Sequence, residues 1–172
     1  NNKLFDDALL SIEKGKSINP LVSELYFAEG SIFISQNKKQ KAKKSLEQGL
    51  KIQPKNTNAL FQYGNIFLME KNYKKALSKY NKIIEIKANF WQAINNKGLI
   101  YFEQDAILLA INNFTQAIEI KKNAESLLAL GVSLKDIDKK KSILLVKEAL
   151  QKNPNYASFE FREEQLLSLI HI

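Results

Sequence analysis

The sequence predicts an all-α chain in which pairs of antiparallel helices stack along one axis, and three observations predict it. Only three prolines and six glycines punctuate 172 residues, too few for a chain of strands and turns. Apolar residues follow helical steps, as in Ala76-Leu77-Tyr80-Ile83-Ile84 and again in Ala110-Ile111-Phe114-Ala117-Ile118, which places each set on one stripe. Residue types also recur at a fixed period. Gly30, Gly64, Gly98 and Gly131 lie 34, 34 and 33 residues apart, and Ala42, Ala76 and Ala110 lie 34 apart, with Ser142 taking that slot after a one-residue deletion. One helical hairpin cannot bury its own apolar face, so repeated hairpins lean on their neighbours and build a curved solenoid.

Taken in order, residues 3–17, with Ala8, Ile12 and Gly15 before Pro20, match the second helix of a unit whose first helix is missing. First helices are expected at about 22–36, 56–70, 90–104 and 124–136, and second helices at about 39–52, 73–87, 107–121 and 139–152. On the second helices, Leu46, Tyr80, Phe114 and Val146 fill a large apolar slot. Gly49, Ile83, Ala117 and Ala149 fill a mostly small one, and Pro20, Pro54 and Pro154 close units. Gly on the first helix and Ala on the second would let the two backbones approach, with the bulky residue inserted toward the neighbouring unit. The expected organisation is one domain over 1–172: a partial repeat over 1–22, full repeats over 23–56, 57–90, 91–123 and 124–156, and a capping helix over 157–172. The apolar tail Leu166-Leu167-Ser168-Leu169-Ile170 suits either packing on the last unit or covering another segment. With no initiator Met, the chain reads as a fragment of a longer protein.

These slots resemble the tetratricopeptide-repeat family, in which a bulky residue, Leu-Gly and an aromatic mark the first helix, and Ala, an aromatic and Ala mark the second, with Pro at the exit. Tyr26, Gly30, Phe33, Ala42, Leu46, Gly49 and Pro54 carry the first full unit, and Leu60, Tyr63, Gly64, Phe67, Ala76, Tyr80 and Ile83 the second. Ile94, Gly98, Tyr101, Ala110, Phe114 and Ala117 carry the third, and Leu127, Leu130, Gly131, Leu134, Ser142, Val146, Ala149 and Pro154 a weaker fourth. Glu29 and Lys97 depart from the usual Leu. The resemblance implies a right-handed α–α superhelix whose first helices line a concave face, and a module that binds protein or peptide there.

Composition narrows the chemistry. The absence of cysteine excludes a thiolate metal site, and the single histidine, His171, is the next-to-last residue, which argues against a histidine-based catalytic triad and a multi-histidine metal site. Asp6-Asp7 and Glu163-Glu164 are helix neighbours that point apart, and the isolated helical glycines make no phosphate-cradling loop. No apolar run approaches the roughly 20 residues of a membrane span. The chain is therefore expected to be non-catalytic, without cofactor or metal, and cytoplasmic unless an address lies outside this sequence.

Inner-face positions not used in packing give the candidate peptide site: Phe27, Ser31, Phe61, Asn65, Met69, Gln92, Asn95, Asn96, Leu99 and Phe102. Aromatic anchors with amides, each carrying two donors and two acceptor lone pairs, suit an extended backbone. The alternative is that the phenylalanines fill the inside curve and the asparagines are solvated. Phe61→Ala with Asn96→Ala is expected to weaken a partner and spare the fold. The family's clamp for the acidic C-termini of heat-shock chaperones needs Lys, Asn, Asn, Lys and Arg. Asn65 and Asn96 match it, but Phe61, Glu125 and Ala129 stand where its cations belong, so that ligand is rejected.

Net charge is +8, almost wholly lysine, with Arg162 the only arginine. Lysines at 38–44, 71–75 and 139–141 line the turn edge. Without arginine there, a solvated edge is favoured over an anionic partner. Two further readings are an assembly scaffold that self-associates through its terminal helices, and an accessory domain of a larger enzyme such as a transferase.

Overall fold

A computed structural model describes residues 2–157, which form nine α-helices and a closing 3-10 turn at Pro154–Ala157. The helices are α1 (Asn2–Ile18), α2 (Ser23–Ser35), α3 (Lys39–Ile52), α4 (Thr57–Met69), α5 (Tyr73–Ile86), α6 (Trp91–Glu103), α7 (Ile107–Ile120), α8 (Ala124–Ser133) and α9 (Lys139–Lys152). The most extensive packing joins α2 to α3, α4 to α5, α6 to α7 and α8 to α9. Successive pairs meet through α3 on α4, α5 on α6 and α7 on α8, and α1 packs on α2. The expected capping helix lies outside the described residues, except for Ala157, the last residue of the closing turn.

Local chemistry explains the boundaries. The side chains of Asn56, Asn72, Asn123 and Asp138 accept the amides of Ala59, Lys75, Ser126 and Lys141, satisfying orphan donors where α4, α5, α8 and α9 begin. The first three pairs turn by one device, repeated every 34 residues: Asn37, Lys71 and Asp105 adopt φ of 55°, 54° and 58°. The amide after each reaches back to a carbonyl in the preceding helix, Lys38 to Phe33 at 2.8 Å, Asn72 to Phe67 at 2.8 Å and Ala106 to Tyr101 at 2.9 Å. This left-handed cap ends α2, α4 and α6 without glycine. The fourth pair has one residue fewer and no such cap. Accordingly α8 stops at Ser133, earlier than the expected 136, and residues 134–137 form the turn.

The repeated slots are the core. Ala42, Leu46, Ala76, Tyr80, Ile83, Ala110, Phe114, Ala117 and Ala149 are fully buried. The first-helix glycines make room for large side chains of the second helix rather than for its alanines. A Cβ on Gly64 would sit 2.7 Å from the Tyr80 ring, and one on Gly98 would sit 2.6 Å from the Phe114 ring. In the fourth pair Ser142 takes the alanine slot, and its hydroxyl donates to the Gly131 carbonyl at 2.7 Å, so the extra polar group is satisfied where it is buried.

Candidate functional site: the inner face of the first helices

On one side of the stack, side chains tie each first helix to the next. Gln62 Nε2 of α4 donates to Ser31 Oγ of α2 at 3.0 Å, while the Ser31 hydroxyl bonds the Phe27 carbonyl of its own helix. Between α4 and α6, Asn65 Oδ1 accepts from Asn96 Nδ2 at 2.9 Å and from the Tyr80 hydroxyl of α5 at 2.7 Å. Between α6 and α8, Asn95 Nδ2 donates to Glu125 Oε1 at 2.9 Å, and Ser126 Oγ donates to Asn95 Oδ1 at 2.8 Å. These rungs join residues 30 or 31 apart in sequence. They draw the first helices together, and α6 touches α8 directly. No comparable bonds link α3, α5, α7 and α9 to one another among the described residues. A stack tied closely along one side curves toward it, so α2, α4, α6 and α8 line the inside.

The candidate residues lie on α2, α4 and α6, and the structure uses several of them internally. Asn95 and Asn96 are 1% and 7% exposed and serve as rungs, and Leu99 is buried in the α6–α8 core. Phe27 lies flat on α3 over Gly49. Phe61 packs between Tyr80 and Phe90, at ring separations of 6.0 and 5.4 Å, and Phe102 packs against the α6–α8 core. The phenylalanines therefore fill the inside curve, and the asparagines are paired rather than simply solvated. Replacing Phe61 and Asn96 would disturb packing as well as any ligand, contrary to the expectation that it would spare the fold.

Some of the face stays available. Asn65 Nδ2 and Asn96 Oδ1, the other ends of the paired amides, have no hydrogen-bond partner among the described residues, which leaves a donor group and an acceptor open. Met69 is 40% exposed, and Ser31, Phe61, Gln92 and Phe102 are half-buried. Of the inner positions on α4 and α6, Asn58, Phe61, Gln62, Asn65, Leu68, Met69, Gln92, Asn95, Asn96, Leu99 and Phe102 carry no charge and only Glu103, the last residue of α6, does, in a chain 26% charged. Elsewhere on the first helices Glu24, Glu103 and Glu125 bring acid, while Lys135 and Asp136, expected on this face, lie in the turn after α8. Burial holds the Glu125 carboxyl above its ordinary range, opposed by the Asn95 hydrogen bond. The roles of Tyr80, Gln62 and Glu125 were not expected. The signal that could have found them is the 30- to 31-residue spacing between polar inner positions, distinct from the 34-residue core period.

The lysine edge is partly occupied by the chain itself. Lys43 pairs with Glu70 at 2.7 Å, and Lys43 and Lys75 lie over the Phe67 ring at 5.6 and 5.4 Å. Lys79 is half-buried over Tyr63 at 5.2 Å, and its pKa is lowered chiefly by burial. Among the described residues there is no group of three His, Cys, Asp or Glu suited to a metal ion, and no helix long and apolar enough to cross a membrane.

Stacked hairpins with this cap, core and inner ladder define a helical-repeat protein. The tetratricopeptide-repeat family model matches residues 23–56 and 92–123, so the chain carries tetratricopeptide repeats, and its fold is the right-handed solenoid they build. Similar solved structures include a crystal structure of MamA, with TM-score 0.78 and 19% identity over 89% of this chain and 91% of that one. A MamA fragment from Desulfovibrio magneticus RS-1 aligns with TM-score 0.71 and 16% identity, over 87% of this chain and 86% of that one. YrrB, described as a tetratricopeptide-repeat protein with an unusual peptide-binding site, aligns with TM-score 0.74 and 17% identity, over 90% of this chain and 81% of that one. Among curated proteins none matches this chain.

Proposed function

We infer that this solenoid is a non-catalytic interaction module whose inner face holds an extended segment of a partner protein, as one domain of four full units after a partial first. The observation that carries this is the uncharged middle of the inner face: the positions there that solvent reaches, Asn58, Phe61, Gln62, Asn65, Met69, Gln92 and Phe102, include no lysine and no acid, which a solvated spacer in so charged a chain has no need to exclude. The open donor of Asn65 and acceptor of Asn96 suit the C=O and N–H that one residue of an extended segment presents on the same side. Met69 beside them offers an adaptable apolar contact. The peptide-binding site named for YrrB, on the same fold, supports the reading.

Met69→Glu tests it, because that side chain is exposed and bears no structural hydrogen bond. Peptides selected from a displayed random library on the wild-type chain should bind the variant about tenfold more weakly. Its unfolding free energy should stay within about 0.5 kcal/mol of wild type. Equal binding to both proteins would remove the inner face as the site.

A further inference from the structure

The side of α2 opposite the inner face borders a cleft that nothing above uses. It runs between α1 and α3, encloses about 420 Å³, and has the rings of Tyr26 and Phe33 among its lining residues. That volume is in the range of pockets that hold ligands. The next groove along, between α3 and α5, shows why this one is open. There the Tyr63 ring sits 4.7 Å from Phe67, and Lys79 lies over Tyr63 at 5.2 Å, so the chain's own side chains cover the floor. One period earlier Glu29 stands in place of Tyr63 and Ser45 in place of Lys79. Both are smaller, and they hold each other at 2.7 Å instead of covering the rings.

The charges of the cleft do not cancel. Glu29 is satisfied within the chain by Ser45 and by Lys16, whose ammonium is 2.7 Å away and also lies 4.7 Å from the centre of the Tyr26 ring. Lys41 and Lys44 line the opposite wall, are exposed, and have no carboxylate partner among the described residues, and the Lys41 ammonium lies 5.6 Å from the centre of the Phe33 ring. We propose that the cleft between α1 and α3 is a second docking site, on the face opposite the inner groove, for an acidic protein segment. Its carboxylates meet Lys41 and Lys44 and draw the Lys41 ammonium off the Phe33 ring, where one apolar side chain takes its place. A wall of two unpaired cations disfavours a basic segment, and an aromatic floor favours a segment with an apolar anchor over a purely acidic one.

The groove next door supplies the test. Glu29→Tyr with Ser45→Lys copies the pair that closes the α3–α5 groove, so it should fill the cleft and keep the fold. It also makes the protein more basic, so simple charge attraction would bind an acidic peptide more tightly. The probe is the fluorescein-labelled peptide Glu-Asp-Phe-Glu-Glu-Leu-Asp, followed by fluorescence anisotropy. The expected result is binding weakened about tenfold or more by the filling pair, and likewise by Lys41→Glu with Lys44→Glu. Met69→Glu on the inner face should leave it unchanged, so failure of this site and failure of the inner groove read out separately. Both groove variants are checked by thermal melting, and the lysine variant, altering only exposed side chains, decides the matter if the filling pair does not fold. Undiminished binding to either folded variant overturns the proposal. So does equal binding of the same peptide with alanine for its Phe and Leu, or no binding at about 1 mM protein. Tighter binding of a short DNA duplex or of anionic phospholipid vesicles, lost in the same variants, would also overturn it as a protein-docking site.

Discussion

Tyr80 joins the core to the inner face, and two substitutions there separate its ring from its hydroxyl. The ring is 0% exposed and rests against Gly64, while the hydroxyl donates to Asn65 Oδ1 at 2.7 Å and lies 3.2 Å from Asn96 Nδ2. Tyr80→Ala removes a large buried aromatic and should cost about 3–5 kcal/mol. Tyr80→Phe keeps the ring and the bond between Asn65 and Asn96, and loses only the hydroxyl bonds, for about 0.5–1.5 kcal/mol. For a chain of this size, about 1 kcal/mol corresponds to a Tm lower by about 2–4 °C. Urea unfolding followed by far-ultraviolet circular dichroism measures both, and equal slopes across variants establish that the same cooperative unit is being read. A double-mutant cycle of Tyr80→Phe with Asn96→Ala should show coupling of about 0.5 kcal/mol or more. If Tyr80→Phe matched wild type and the cycle were additive, the hydroxyl would not belong to the rung and the inner ladder would be wrong at its centre.

Other expectations follow from particular contacts. Gly98→Ala should destabilise by about 1–2 kcal/mol on urea unfolding, because crowding the Phe114 ring at 2.6 Å outweighs the roughly 1 kcal/mol that alanine gains in a helix. Lys71→Gly should stabilise by about 1 kcal/mol, since φ of 54° suits glycine, and a Tm unchanged or lower would contradict the left-handed cap. Glu125 titrates above its ordinary range because burial penalises its charged form, so the folded state holds that proton more tightly than the unfolded chain. Stability should therefore fall as pH rises from about 4 through the folded-state pKa. Glu125→Gln, which can still accept from Asn95, should raise Tm at about pH 7 and lose that advantage near pH 4. Lys79→Ala should cost about 0.5–1 kcal/mol through its contact with the Tyr63 ring.

The fold was legible because its determinants are local and repeated. The 34-residue period placed the helices α2 to α7 within a residue or so of their positions, and the stripe through Ala76, Tyr80 and Ile83 is the buried one. Where the period slips by one residue, α8 ends early, because a left-handed cap needs a residue that the deletion removed. The inner face was legible in direction and not in detail. Helical periodicity shows which way Asn65, Asn95 and Asn96 point, but the group each meets lies on another helix about 31 residues away, and helix spacing and tilt decide that. Glu29 was recognisable as a departure from its repeat. What it opens is a difference in filled volume between two neighbouring grooves, which no single residue reveals.

Met69 is the only methionine in the chain, ends α4 and is exposed, so a carbon-13 label on its methyl group gives one NMR signal from the proposed site. Titrating in a library-selected peptide should move that signal progressively to a new position, saturating with the affinity seen by anisotropy. A signal that stays in place while the same peptide saturates the protein would contradict the inner-face account.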